Sequence, residues 1–133
     1  MPGTTTPSDT IALNKIANVV IPVADQDRAV AFYVDQLGFT KRVDAPFGDG
    51  YRWIEVGIGD EATTIALAPP PPGTPSGNRE TGITLQTDDI DAFHARLREG
   101  GVDVDAEVSR MGDPVPPLFW FRDPEGNTLM VVQ

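Results

Sequence analysis

The sequence predicts an α+β domain made of two β-α-β-β-β modules that curve around a cleft sized for a small molecule. Three observations carry this prediction. The order of apolar runs and helix signals in the first half returns in the second. A proline-rich stretch, PPPPGTPSGN (Pro69–Asn78), separates the halves and can form neither a helix nor a central strand. Asp25, Ala29 and Gly38 recur 63 residues later as Asp88, Ala92 and Gly101, each aspartate opening a helix and each glycine following one.

The elements follow in order. Residues 1–15, rich in Thr, Pro and Ser, are expected to form a flexible arm, with a single domain over 16–133. IANVVIPV (Ile16–Val23) is an apolar, β-branched run of strand length. Asp25 then caps a helix in which Ala29, Tyr33 and Leu37 recur at helical spacing, flanked by Val30 and Phe32, and Gly38 ends it. Strands FTKRVDA, YRWIEVGIG and ATTIALAPP, parted by Gly- and Asp-containing turns, complete module one over 16–69. The linker spans 69–79 and module two 80–133. In module two, TGITLQT is a strand, and Asp88 caps a helix carrying Ile90, Phe93 and Leu97 that Gly100 and Gly101 stop. VDVDAEVSR, LFWFRD and TLMVVQ are its remaining strands.

Composition narrows the function classes. At 133 residues the chain can bury a core without covalent staples. It holds no cysteine, so disulfides, thiolate ligands and a thiol nucleophile are excluded. Twenty acidic against ten basic residues give a net charge of -10, with no basic stripe, so nucleic acid is not an expected partner. No apolar run reaches membrane-spanning length, and the N-terminus has neither a basic nor an apolar signal region. No membrane association is expected, and a cytoplasmic location is.

NVVIPVADQDRAVAFYVDQLGF (Asn18–Phe39), TGITLQTDDIDAFHARLREGGV (Thr81–Val102) and FRDPEGNTLMVV (Phe121–Val132) resemble the vicinal-oxygen-chelate superfamily, which contains glyoxalases, bleomycin-resistance proteins and extradiol dioxygenases. The resemblance covers roughly residues 16–132. It implies paired modules forming a curved, incomplete barrel, and often a homodimer whose cleft lies within one chain or between two. In the metalloenzymes of the superfamily it implies a divalent ion held by His and Glu on the first and last strands of the modules. Those positions correspond here to Asn18, Ala66, Gly82 and Met130. Ala66 and Gly82 offer no donor, and a thioether suits a hard cation poorly. No metal and no cofactor is therefore expected.

Other candidates come from strand alternation. In YRWIEVG, Ile54 and Val56 share one face, while Tyr51, Trp53 and Glu55 share the other, toward the cleft. Trp53 would form an aromatic wall, and Glu55 would bind a cationic group or act as a base if desolvation raised its pKa. Asn18, Thr64, Ala66, Thr84, Gln86, Thr128 and Met130 are expected to line the same cavity. In LFWF either Leu118 and Trp120 or Phe119 and Phe121 face the cleft, and Phe119 and Phe121 are taken as the cleft pair. His94, the sole histidine, is expected on the outer surface of the second helix. Asp123, Pro124 and Gly126 are expected to shape a turn, and Asp49 and Asp113 to rim the cleft. No catalytic residue is assigned. The leading expectation is a protein that binds a small organic molecule without the usual metal. The alternatives are a lyase, isomerase or dioxygenase-like enzyme using Glu55 or an atypical metal site, and a self-associating structural domain.

Overall fold

The computed structural model describes residues 11–48 and 50–133. Most of the expected arm, and Asp49, lie outside the described residues. Residues 11–17 carry no regular structure and leave Ile11, Leu13 and Ile16 exposed. Among the described residues no helix is long and apolar enough to cross a membrane.

Module one runs β1 (Asn18–Pro22), α1 (Gln26–Ala31) continuing as a π-helical turn (Phe32–Gln36), β2 (Thr40–Pro46), β3 (Arg52–Gly57) and β4 (Thr64–Ala68). Module two runs β5 (Glu80–Gln86), α2 (Ile90–Glu99), β6 (Asp103–Val104), β7 (Leu118–Arg122) and β8 (Thr128–Val132). The sheets have matching orders, β1-β4-β3-β2 and β5-β8-β7-β6, and in each the first strand pairs parallel to the last. The expected fold class is the one found. No helix or strand lies between Ala68 and Glu80.

Both helices start on an aspartate cap. The Asp25 carboxylate accepts the Arg28 amide at 3.0 Å. In module two the cap is Asp89, accepting from Ala92 at 3.1 Å, rather than the expected Asp88. One more residue separates Asp25 from Gly38 than Asp89 from Gly101. The helix ends show where it goes. α2 closes in a Schellman turn, Val102 N–H to Leu97 C=O and Gly101 N–H to Arg98 C=O. Module one closes one residue wider, Phe39 N–H to Tyr33 C=O, after the Leu37 amide bonds Phe32 C=O in a π turn.

Each helix covers one face of its own sheet, and the two covered faces share one core. Ile21, Ile54, Val56, Ile65 and Leu67 from module one join Phe119, Phe121, Leu129 and Val131 from module two. Tyr33, Phe119 and Phe121 are fully buried, each worth about 1.5–3 kcal/mol of transfer free energy. Phe32 spans the seam, its ring centroid 6.2 Å from that of Phe121. Gln26 fastens α1 to the sheet by donating to the carbonyls of Arg52 (2.6 Å) and Leu67 (2.9 Å) and accepting the Arg52 amide.

The segment expected as the strand VDVDAEVSR pairs only over Asp103–Val104, with an isolated bridge from Ser109 to Leu118. The intervening residues are drawn toward α2: His94 bonds the Asp105 carbonyl at 2.7 Å, and Arg98 donates to the Ala106 carbonyl.

The turn Asp123–Asn127 is the main bracket between the modules. Asp123 is buried with all four acceptor sites filled. The amides of Glu125 and Asn127 donate to Oδ1, and the Tyr33 hydroxyl (2.9 Å) and Asn127 Nδ2 (3.0 Å) donate to Oδ2. Burial, and secondarily the Asp123 charge, push the Tyr33 phenol far above its ordinary range. Glu125 reaches across to accept the amides of Ala24 and Asp25 at 2.8–2.9 Å, just ahead of α1. Asn78, at the end of the linker, donates its amide to the Glu125 carbonyl at 3.0 Å. A Cβ on Gly126 would run into the Asn78 side chain.

Candidate functional site

The uncovered face of sheet one is set by its register. Val20 pairs with Ala66, and Ala66 with Glu55; Asn18 pairs with Thr64. Trp53 and Glu55 therefore share a face with Asn18, Thr64 and Ala66, opposite the core residues Ile54 and Val56. Tyr51 lies outside the strand and is exposed.

Glu55 is the polar centre of this face. Thr64 Oγ1 donates to its Oε1 and Trp53 Nε1 to its Oε2, both at 2.7 Å. The Thr64 bond first, and the Trp53 bond second, hold the carboxyl below its ordinary pKa, outweighing desolvation; Lys15 and Arg42 add smaller effects in the same direction. Glu55 is thus an ionised acceptor, and the expectation of a base with a raised pKa is corrected. Arg42 does not pair with it. Its guanidinium crosses Gly57 to bind the carbonyls of Ile58, Gly59 and Glu61, and a Cβ on Gly57 would strike it. The Phe47 ring meets Trp53 edge to face at 6.0 Å, extending the aromatic wall.

On sheet two, Thr84 pairs with Met130, and Met130 with Trp120; Thr128 pairs with Arg122. The uncovered face therefore carries Thr84, Gln86, Leu118, Trp120, Arg122, Thr128 and Met130. Phe119 and Phe121, expected in the cleft, belong to the core instead. Both are wholly buried, and Phe119 meets the His94 ring at 4.9 Å. Arg122 held the missing signal: its charge cannot face the core, and alternation places Trp120 with it. Arg122 forms an ion pair with Asp105 at 3.0 Å, and Asp105 also accepts the Trp120 amide. His94 is partly exposed on α2, as expected, while Asp113 is exposed in its loop.

Only part of the expected site residues meet in one cavity. Thr64, Thr84 and Gln86 line a space of about 390 Å³ between the modules, walled by Val19, Phe39 and Ile83. Asn18, Trp53, Glu55 and Ala66 lie on one sheet face, and Thr128 and Met130 on the other. A larger groove of about 580 Å³ along the seam contains none of them. Of its three carboxylates, Asp123 and Glu125 already hold the bracket together, and Asp103 lies 3.8 Å from the Arg122 guanidinium.

The family model described as Glyoxalase/Bleomycin resistance protein/Dioxygenase superfamily matches residues 15–131. The chain belongs to this superfamily. It is 36% identical to the crystal structure of TnmS3, an antibiotic binding protein from Streptomyces sp. CB03234, with TM-score 0.81, covering 92% of this chain and 98% of that one. A superfamily member from Sphaerobacter thermophilus DSM 20745 is 32% identical with TM-score 0.82, covering 90% and 97%. The metallothiol transferase FosB of Shouchella clausii is 27% identical over 121 residues, covering 90% of this chain and 80% of its own.

The residues present do not fit the metal used by glyoxalase-type enzymes. Ala66 is enclosed between Val20 and Glu55, Met130 lies between Thr84 and Trp120, and Gly82 sits at a β5 bulge with φ of 71°. Glu55, the carboxylate beside Ala66, has each oxygen engaged by Thr64 or Trp53. Among the described residues no three His, Cys, Asp or Glu side chains converge.

Proposed function

We propose that this superfamily member binds a small organic molecule without a catalytic metal. The ligand rests on the uncovered face of sheet one, against Asn18, Trp53 and Glu55 above the fully buried Ala66, and a second copy of the chain covers it with its Trp120 and Met130 face. The observation that carries the reading is the chemistry of Asn18, Ala66, Gly82 and Met130. They replace a ligand set with an amide, two groups lacking donors and a thioether, while Trp53 and Glu55 supply a wall and a polar anchor. The likeness to an antibiotic binding protein supports the same direction. The homodimer is supported by the half-exposed Trp53, Trp120 and Met130 and the exposed Val20 on sheet faces that no helix covers.

The likeness to a metallothiol transferase favours a second reading, a metal-dependent enzyme. One experiment separates the two. Protein treated with a chelator is dialysed against a panel of aromatic antibiotics, and the compounds are recovered and weighed by mass spectrometry. Binding that survives chelation, with the compound unchanged and a dimer in sedimentation velocity, is the expected result. A compound altered only after a divalent metal is restored would overturn the binding reading.

A further inference from the structure

The geometry around Glu55 indicates which class of molecule the site accepts, and this inference rests on the ligand-binding reading above. Its carboxylate is half-buried on a sheet face, fixed by Thr64 and Trp53 so that each oxygen has one bond filled and one lone-pair direction left. Both partners are neutral donors. Among the described residues no Lys, Arg or His lies within salt-bridge distance of it. Lys15 and, more weakly, Arg42 act on it only at a distance, and the Arg42 guanidinium is held by three carbonyls of the β3–β4 turn. A partly desolvated carboxylate without a counter-ion is an incomplete arrangement, and a cation completes it. Next to it stand the Trp53 indole and the Phe47 ring, whose faces attract cations and stack on flat rings. The net charge of -10 raises the local concentration of cations and repels anions.

We propose that this subsite takes an organic cation whose charge lies on, or directly beside, a flat aromatic ring, with the charged N–H on Glu55 and the ring against Trp53. Glu55 is then the specificity-determining residue and Trp53 the affinity-determining one.

Three acridines of matched shape test this: 9-aminoacridine, a cation at neutral pH; acridone, neutral; and acridine-9-carboxylate, an anion. Each is titrated calorimetrically into the full-length protein at physiological ionic strength. The cation is expected to bind at least about tenfold more tightly than the other two, the size of one charge-assisted hydrogen bond. Glu55→Gln should remove that preference, lowering cation affinity by about tenfold and acridone affinity by less, since the acridone N–H is uncharged. Trp53→Phe should weaken all three and keep their ranking, and circular dichroism establishes that both variants are folded. A cation preference that persists in Glu55→Gln would assign it to the overall charge and overturn the role of Glu55. Equal binding of all three overturns the cation class and leaves ligand binding standing. If none binds, the cation class is overturned and the dialysis panel decides ligand binding separately.

Discussion

Glu55 is bonded by a hydroxyl and an indole N–H that favour its ionised form, and this coupling links a single side chain to the stability of the fold. Its folded pKa is lowered, so the stabilisation is present above the ordinary carboxylate pKa and is lost as pH falls through the lowered folded value. Glu55→Gln is therefore expected to be less stable than the parent at neutral pH, with the difference shrinking as the pH falls through that lowered value. Urea unfolding of both proteins across that range measures it, and a gap that stays constant in acid would remove the assignment. At this scale the sequence was partly legible. Alternation within YRWIEVG places Trp53 and Glu55 on one face, but not the Thr64 bond, which depends on the pairing of β3 with β4. Phe119 and Phe121 read as cleft residues although they are buried in the core, because an apolar run looks the same from either side. Only the charged Arg122 breaks the tie.

Helix ends and strand edges show how two modules of one order become unequal. The periodic positions Ala29, Tyr33 and Leu37 made α1 readable, and Gly38 marked its end. The π turn left no signature in composition, because its extra residue is visible only against the shorter α2. The same extra residue explains why a fixed spacing of 63 matched the closing glycines but displaced the second cap from Asp89 to Asp88. The β3–β4 turn of module one depends on Arg42 lying over Gly57. Gly57→Ala is expected to displace the guanidinium and destabilise the protein by about 1–3 kcal/mol. If Arg42 is the cause, combining Gly57→Ala with Arg42→Ala should cost less than the sum of the single changes in a double-mutant cycle. Additive costs would point to the backbone of β3 instead.

Across the whole molecule, one core and one bracket join the modules, whereas the repeat alone suggests two independent halves. The sequence showed Asp123–Asn127 as a turn, but not that Tyr33, Ala24 and Asn78 converge on it, since these contacts span both modules and the linker. Glu125→Ala should lower the melting temperature while leaving a single calorimetric transition, because Phe32 and Phe121 still share the core. Two resolved transitions would show that the modules melt separately. The bracket has a further consequence for chain exchange. Glu125 would bond the Ala24 amide of a neighbouring chain as well as its own, since neither geometry nor charge distinguishes them. The tether between Ala68 and Glu80 favours pairing within one chain, because it holds the two modules at a high effective concentration. A linker too short to span the seam would pass that advantage to the neighbour, and the same bonds would then fasten two half-exchanged chains together.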